Sequence, residues 1–224
     1  MTNSIVQLIM TSGPLLLQGF WTTVLLSLCS ITIGLSCGMV IGIACSHKMR
    51  IPGLAHLLDL YVFCVRGIPF FVQLLMVYFV LPDLLGIELS PFSAGALALG
   101  NCSTGYVAEI VRAGINALPA GQWEASAALG YSTYAAIKHI IIPQMLTHTM
   151  PTLFNEFISV ILSTSIISQI GTLELTKVGA NIIAREMNPL PTYAVLALLY
   201  LLLTTCASWT GRYLERRVRH GHRS

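Results

Sequence analysis

Five stretches of the chain are apolar for about twenty residues or more, and short polar segments separate them. They cover residues 20–46, 57–80, 91–115, 151–172 and 191–211. A helix of about 20 apolar residues spans the hydrocarbon core of a bilayer. The pattern therefore predicts an all-α, polytopic membrane protein with five transmembrane helices.

The first 47 residues contain no charged side chain. A signal peptide has a basic segment before its apolar core, so we expect the first span to remain in the mature protein. Gly34, Gly38 and Gly42 repeat every four residues within it, a spacing that lets two helix backbones approach closely. Turn signals follow the first two spans, at Pro52 with Gly53 and at residues 81–83.

Lys and Arg concentrate in the segments expected on one side of the membrane. Because cytoplasmic loops accumulate these residues, the pattern predicts an outside N-terminus (1–18), a membrane domain (19–211) and a basic cytoplasmic tail (212–224). The basic residues on that side are Lys48, Arg50, Arg112, Lys138, Arg212, Arg216, Arg217, Arg219 and Arg223. Trp21, Trp209 and Tyr213 lie near predicted span ends, as interfacial aromatic residues do.

Composition agrees with a membrane protein. Of the 224 residues, 55% are hydrophobic and 9% are charged, too few charges to cover a soluble domain. The net charge of +3 lies in the tail beside the membrane, where lipid headgroups explain it better than nucleic acid does. The six cysteines all lie in apolar spans without a C-x-x-C pair, so we expect buried free thiols. The histidines form no helical ligand pair, so no metal site is expected.

The segment 116–143 joins the third and fourth spans, and we expect it in the cytoplasm. Pro119 is typical of a helix start, and residues 122–129 are good helix formers. Gly130 permits a reversal, and Ser132 or Thr133 can cap a second short helix. The sequence predicts two short helices that meet at Gly130.

This segment carries very little charge for a loop in water. Glu124 is its only acid and Lys138 its only base between residues 113 and 155. A narrow knob of alanines and glycine can enter a groove on a partner, with Glu124 as the orienting charge. The alternative is a surface helix-turn-helix that only joins two spans.

The loop and the spans around it resemble the polar amino acid permease family of ABC importers over about residues 18–217. In the loop, the resemblance rests on Glu124, Ala125 and Ser126, with Gly130 six residues after the glutamate and Ile140, Ile142 and Pro143 beyond it. The other matching residues are Gly19, Thr22, Thr23, Leu25, Ser27, Tyr61, Arg66, Gly67, Pro69, Gln73, Tyr78, Phe79, Tyr106, Glu109, Ile110, Arg112, Gly114, Ile115, Gln144, Pro151, Asn155, Glu156, Phe157, Thr164, Ser165, Ile170, Gly171, Glu174, Leu175, Leu214, Glu215 and Arg216.

The resemblance implies a type I importer of the bacterial inner membrane. Two such permeases, as a homodimer or heterodimer, would dock on a separate ATPase, while an extracytoplasmic solute-binding protein delivers an amino acid. The chain contains no G-x-x-x-x-G-K-[ST], so ATP and Mg would bind the partner, and this chain would bind no cofactor and would not be an enzyme. The residues that would couple to the ATPase are Gly121, Glu124, Ala125, Ser126, Gly130 and Pro143.

Ionisable residues at membrane depth need a reason, because each costs roughly 2.5 to 3.5 kcal/mol on insertion scales. One reason is a substrate pathway, in which Arg66 faces Glu109 or Glu156 and the two charges replace water around a zwitterionic amino acid. The other is an internal Arg–Glu pair that fixes helix register and does not contact cargo. The full set of expected pathway residues is Arg66, Tyr106, Glu109, Asn155, Glu156, Ser163, Thr164 and Ser165.

Two departures from the family pattern flank this pathway. Leu162 and Ser163 replace a usual Lys-Asp, and Thr104 and Gly105 replace a usual Gly-Ala. They suggest a different cargo preference or a subunit whose half has lost its binding role, so no particular amino acid is assigned. The rival functions are a permease for another small zwitterion such as an opine, an ATP-independent membrane channel and, third, a membrane enzyme.

Overall fold

The apolar stretches form ten α-helices in a computed structural model that describes residues 2–221, and every regular element in that range is helical. Short π-helical turns (Met76–Val80 and Ile137–Ile141) and a 3₁₀ turn (Ser168–Ile170) continue some of them. The α-helices are α1 (Thr2–Ala44), α2 (Pro52–Gly67), α3 (Phe70–Leu75), α4 (Leu81–Leu85), α5 (Pro91–Asn116), α6 (Ala120–Ala128), α7 (Thr133–Ala136), α8 (Ile142–Ile167), α9 (Leu175–Glu186) and α10 (Pro189–Gly221).

The glycines of α1 lie directly against α5. A Cβ at Gly34 would lie 2.7 Å from the Ser103 Cβ, and one at Gly38 would lie 2.6 Å from the Val107 Cβ. A Cβ at Gly42 would lie 2.6 Å from the Ala108 carbonyl oxygen. Such distances are too short for a real side chain, so the two backbones meet only because these side chains are missing.

α5 lies at the centre of the bundle and contacts α1, α2, α3 and α8. Its buried face contains many small and polar residues, such as Gly100, Ser103, Thr104 and Gly105. Neighbouring helices replace lipid around it, so this helix does not need a continuous apolar surface.

Three helical segments of the described chain are long and apolar enough to cross a membrane: Met10–Ala44, Thr133–Ile170 and Pro189–Arg217. The pair Pro52–Gly67 and Phe70–Leu85 meets the same criteria only when it is taken as one broken span. α5 has the length but is not in this set, because of its small and polar residues. The all-α membrane fold is confirmed, whereas the count of five spans stays a prediction.

The second predicted span differs most from the structure. It is not one continuous helix, because Ile68 and Pro69 are extended (ψ 131° and 136°). The helix axis bends by 105° between the two halves. A proline disfavours helical geometry in the residue before it and donates no backbone N–H. The turn predicted at residues 81–83 is also wrong, since the helix continues to Leu85 and ends at Gly86, whose φ is 63°.

Two other helices are longer than the apolar pattern predicted. α1 begins at Thr2, so residues 2–18 continue the first span as helix and Trp21 lies well inside it. The fourth span does not begin at Pro151, because helix runs from Thr133 through the π-turn into α8. Pro143 is in the first turn of α8 and Pro151 lies inside that helix.

α9, a short amphipathic helix between the last two spans, was not predicted from the apolar pattern. Glu174 caps it and is fully buried. Its carboxylate accepts backbone N–H bonds from Thr176 (3.0 Å) and Lys177 (2.7 Å) and a hydroxyl bond from Tyr200 (2.8 Å). Burial raises the pKa of Glu174, and these hydrogen bonds partly oppose the rise. The capping carboxylate therefore ties α9 to α10.

The cysteines are free thiols, but most are not buried in the fold. Cys45 is buried and Cys102 is partly buried. Cys29, Cys37, Cys64 and Cys206 are exposed. The expectation of burial was wrong for these four because an apolar span has an outward face that lipid covers.

The contact between α1 and α5 predicts a large effect from one methyl group. We expect Gly38→Ala to lower the free energy of unfolding by about 1–3 kcal/mol, because Val107 must move to admit the new Cβ. Thermal unfolding of the purified complex measures the effect. Gly13→Ala in the same helix, with no atom within 4 Å of its Cβ, is the matched control, and equal stability of the two variants would contradict the prediction.

Candidate functional site

Charged side chains of α2, α5 and the segment before α2 form one chain of ion pairs. Arg66 Nη1 lies 3.6 Å from Glu109 Oε2, and Glu109 Oε1 lies 2.8 Å from Arg112 Nη2. Asp59 lies 3.5 Å from Arg112 and 2.7 Å from Arg50. The signs alternate along the chain, so each charge has an opposite neighbour. Of the two glutamates considered as partners of Arg66, the structure pairs it with Glu109.

Arg66 is held by α5 at further points. Its guanidinium carbon lies 5.4 Å from the centre of the Tyr106 ring, within range of a cation–π interaction. Below its stem is Gly105, where a Cβ would lie 2.9 Å from Val65 Cγ1 and 3.3 Å from Arg66 Cγ. The absence of a side chain at Gly105 therefore lets the end of α2 lie on α5.

Glu156 is not brought to Arg66. Its carboxylate accepts a hydrogen bond of 2.9 Å from the Ser103 hydroxyl, which joins α8 to α5. Glu156 is only partly buried. The two glutamates expected in the pathway thus join α5 to different helices: Glu109 on α5 pairs with Arg66 of α2, and Glu156 on α8 accepts from Ser103 of α5.

One face of α8 is exposed and mostly polar. Asn155, Ser159 and Leu162 lie on it at spacings of four and three residues, and Gln169 in the 3₁₀ turn that follows is also exposed. Polar side chains at membrane depth are unfavourable against lipid, so this face requires water or another protein beside it. Leu162, which is 49% exposed, is the apolar residue on this face.

The hydroxyl groups expected beside this face are used by their own helix. Thr164 is fully buried and donates to the Ile161 carbonyl (2.7 Å), and Ser165 donates to the Leu162 carbonyl (2.7 Å). Ser163 is partly buried. Among the described contacts, neither Thr164 nor Ser165 meets Arg66, and both hydroxyls donate within their own helix.

The local structure of the segment between α5 and α8 follows the sequence. α6 begins directly after Pro119, Gly130 has φ 81°, and the Ser132 side chain caps α7 through the Ala135 N–H. The two helices meet at Gly130 as expected. The name coupling loop is used below for residues 119–136.

The residues predicted to contact an ATPase fall into two groups. Gly121, Glu124, Ala125 and Gly130 are exposed. Ser126, by contrast, is buried and donates to the Trp123 carbonyl (2.8 Å). Pro143, at the end of the predicted segment 116–143, lies in the first turn of α8, where the neighbouring Gln144 donates to Gln122 (3.0 Å). Ser126 and Pro143 therefore support the loop from behind and do not lie on its outer surface.

Three large side chains on the coupling loop were not predicted as functional. Leu129 is 75% exposed and Tyr134 is 71% exposed, and Tyr131 is also exposed. Leu129 and Tyr131 are the direct neighbours of Gly130, and Tyr134 follows four residues later. Their signal in the sequence was their size, since the neighbouring residues are mostly alanine, glycine and serine.

No group of three or more His, Cys, Asp or Glu side chains within the described part of the chain could hold a metal ion. The geometry consists of ion pairs, a polar helix face and an exposed loop. Together with the helical membrane fold, these features define the class of membrane-embedded transport subunits.

Comparison with known proteins places the chain within that class. Residues 34–220 match the family described as the binding-protein-dependent transport system inner membrane component. The chain belongs to this family, and it is a multi-pass component of the inner membrane.

Relatives with individual functions cover nearly the whole chain. It is 34% identical over 209 residues to the glutamine transport system permease protein GlnP of Escherichia coli strain K12, covering 92% of this chain and 94% of that one. It is 32% identical over 206 residues to the arginine transport system permease protein ArtQ of Bacillus subtilis strain 168, covering 92% and 93%. The crystal structure of an amino acid ABC transporter with histidines superposes with a TM-score of 0.83 at 33% identity, covering 93% of this chain and 96% of that one. The resemblance to amino acid permeases is confirmed.

The contact below Arg66 leads to a test at a single residue. In Gly105→Ala, the added methyl group must push away Val65 and the stem of Arg66. We expect binding-protein-dependent uptake to fall about fivefold or more, as a change of 1 kcal/mol or more does to an equilibrium. Uptake per correctly assembled complex is the measurement.

Gly53→Ala in α2, where a Cβ has open space, is the control. Uptake at the wild-type level in Gly105→Ala would show that the close approach of α2 to α5 is not required.

Proposed function

We propose that this chain is one half of the translocation pathway of an ATP-driven importer of polar amino acids. The single observation that carries the proposal is the coupling loop, which exposes apolar side chains around Gly130 and carries almost no charge. An exposed apolar surface of this kind marks a site where another protein binds. A separate ATPase subunit is that partner, and ATP and Mg bind there and not to this chain.

The pathway lies along the faces of α5 and α8 that carry charged and polar groups. Arg66 and Glu109 are each partly exposed at this surface, and Asn155 and Ser159 are exposed on α8. An amino acid carries one carboxylate group, which an arginine can bind, and one ammonium group, which a glutamate can bind. Tyr106 and Glu156 line the same region, whereas Ser163, Thr164 and Ser165 support it through α8.

A second permease subunit, identical or similar, completes the pathway. The polar face of α8 must be shielded from lipid, and a partner with the same kind of face encloses water between the two. The membrane domain in this proposal is residues 19–211, with the loop and the tail on the cytoplasmic side and the N-terminus outside. The Lys and Arg distribution supports this orientation.

The cargo class rests on the relatives, whose names refer to glutamine and arginine. Leu162 on the polar face and Ser163 beside it remove a positive and a negative charge from the pathway relative to the family pattern. We infer that the cargo is a polar amino acid, and that these two positions help to determine which one.

Transport assays test the function directly. Vesicles that contain this chain, its ATPase and its binding protein should accumulate radiolabelled glutamine or arginine only when ATP is inside. Flux that runs downhill without ATP would favour a channel. Accumulation of an opine, with neither amino acid taken up, would correct the cargo class.

The role of the coupling loop is tested at its tip. We expect Gly130→Trp to abolish ATP-dependent uptake, because the bulky side chain keeps the tip out of a groove. We also expect Glu124→Ala to abolish uptake, through loss of the orienting charge. Binding of the external binding protein should persist in both, as measured by co-purification.

The control is Gly130→Asn, since asparagine tolerates the left-handed backbone that Gly130 adopts with φ 81°. It separates the strain at this position from the bulk of the side chain. Uptake retained in Gly130→Trp would refute the coupling role of the loop.

The exposed aromatic residue Tyr134 gives an independent test of ATPase docking. Large, well-packed aromatic anchors often cost 2 kcal/mol or more when they are truncated in an interface. We expect Tyr134→Ala to weaken co-purification with the ATPase about tenfold or more. Tyr193→Ala, an exposed tyrosine on α10, should leave it unchanged, and equal effects of the two variants would contradict the anchor role.

A further inference from the structure

The break between α2 and α3 leaves backbone carbonyl groups without helical partners. Ile68 is extended and Pro69 has no N–H, so the last carbonyls of α2 receive no bond from the next turn. Val65 is buried, so lipid and packed side chains, and not water, surround its carbonyl, and they offer no replacement bond. Each such carbonyl therefore needs a donor from elsewhere in the protein.

Gln73 supplies that donor from the first turns of α3. Its side-chain Nε2 donates to the Val65 carbonyl (2.7 Å) and to the Ile68 carbonyl (2.9 Å). An amide group has two N–H donors, and both are used here. The side chain is buried, at 7% exposure.

Two further side chains fix the orientation of that amide. Asn101 on α5 donates from Nδ2 to the Gln73 Oε1 (3.3 Å), and Tyr61 on α2 donates to the Asn101 Oδ1 (2.7 Å). The three residues form a relay, Tyr61–Asn101–Gln73, that starts on α2, passes through α5 and α3, and returns to the end of α2. In each hydrogen bond of the relay, one side chain is the donor and its partner is the acceptor, so the bonds all run in one direction.

The backbone of Arg66 lies between the two carbonyl groups that Gln73 binds. The two carbonyls held by Gln73 belong to the residue before Arg66 and to the second residue after it. The guanidinium then reaches Tyr106 and Glu109 on the same helix that carries Asn101. If the break relaxed, the backbone on both sides of Arg66 would move together with its side chain.

We infer that Tyr61, Asn101 and Gln73 are positioning residues that hold Arg66 in the translocation pathway. This inference rests on the proposed role of Arg66 in that pathway. The alternative is a relay that stabilises the helix break and has no effect on how cargo is handled.

The test uses the assembled complex in vesicles and measures the number of amino acid molecules taken up per ATP hydrolysed. The amino acid is whichever of glutamine and arginine the wild type accumulates. A defect in assembly lowers both quantities, whereas a misplaced Arg66 lowers uptake for the same ATP hydrolysis. We expect Tyr61→Phe, which removes one hydroxyl, to lower this ratio about fivefold. Gln73→Met, which leaves two carbonyls without donors, should lower it further. Tyr193→Phe, on an exposed tyrosine of α10, is the matched control and should leave the ratio unchanged.

A double mutant shows whether the relay acts through Arg66. Arg66→Lys keeps the charge but loses the planar group that lies over Tyr106. In that background, we expect Tyr61→Phe to change the ratio by less than about twofold, because coupled residues are not additive. The same fivefold factor in both backgrounds, or a wild-type ratio in Arg66→Lys, would overturn the inference and leave the proposed function standing.

If the wild type accumulates neither amino acid, the proposed cargo is refuted. The positioning role of the relay can then still be tested by a measurement that needs no cargo. In a chain whose six native cysteines are alanine, Arg66→Cys provides a thiol for a water-soluble, positively charged reagent. The rate of its modification should change several-fold in Tyr61→Phe and not in Tyr193→Phe. An unchanged rate would show that the relay does not place this position.

Discussion

The close contact of α1 with α5 is the interaction on which the rest of the structure depends. It exists because three glycines of α1 offer no side chain where Ser103, Val107 and Ala108 approach. α5 can therefore lie at the centre of the bundle, shielded from lipid. A shielded helix can carry small, polar and charged residues. The ion pairs of Arg66, the bond to Glu156 and the relay to Gln73 all involve such residues of α5.

The physical problem of this protein is to keep polar groups in an apolar environment without leaving them unpaired. The structure solves it in three ways. Arg66, Glu109, Arg112 and Asp59 alternate in sign along one chain of ion pairs. Hydroxyl groups on α8 bond to the carbonyls of their own helix. The carbonyls at the break in the second span receive a side-chain amide. The outer face of α8, with Asn155 and Ser159, is exposed outside the packed bundle, and it is there that a pathway needs polar groups.

The sequence predicted the features that depend on local chemistry. The apolar stretches, the glycine spacing and the two short helices that meet at Gly130 follow from helix length, close packing and capping, which neighbouring residues determine. The break at Pro69 was missed because hydropathy averages over a window and does not register a single extended residue. The exposure of Leu129 and Tyr134 was missed for a related reason, since only the fold shows which side of a loop is covered.

An electron cryomicroscopy structure of the assembled complex in a lipid bilayer tests the central claim most directly. The claim is that the polar face of α8 and the exposed side of Arg66 enclose a pathway between two permease subunits. We expect Ser159 and Arg66 to face water and the second permease, with the coupling loop seated on an ATPase. Lipid acyl chains packed along Asn155, Ser159 and Gln169 would contradict it.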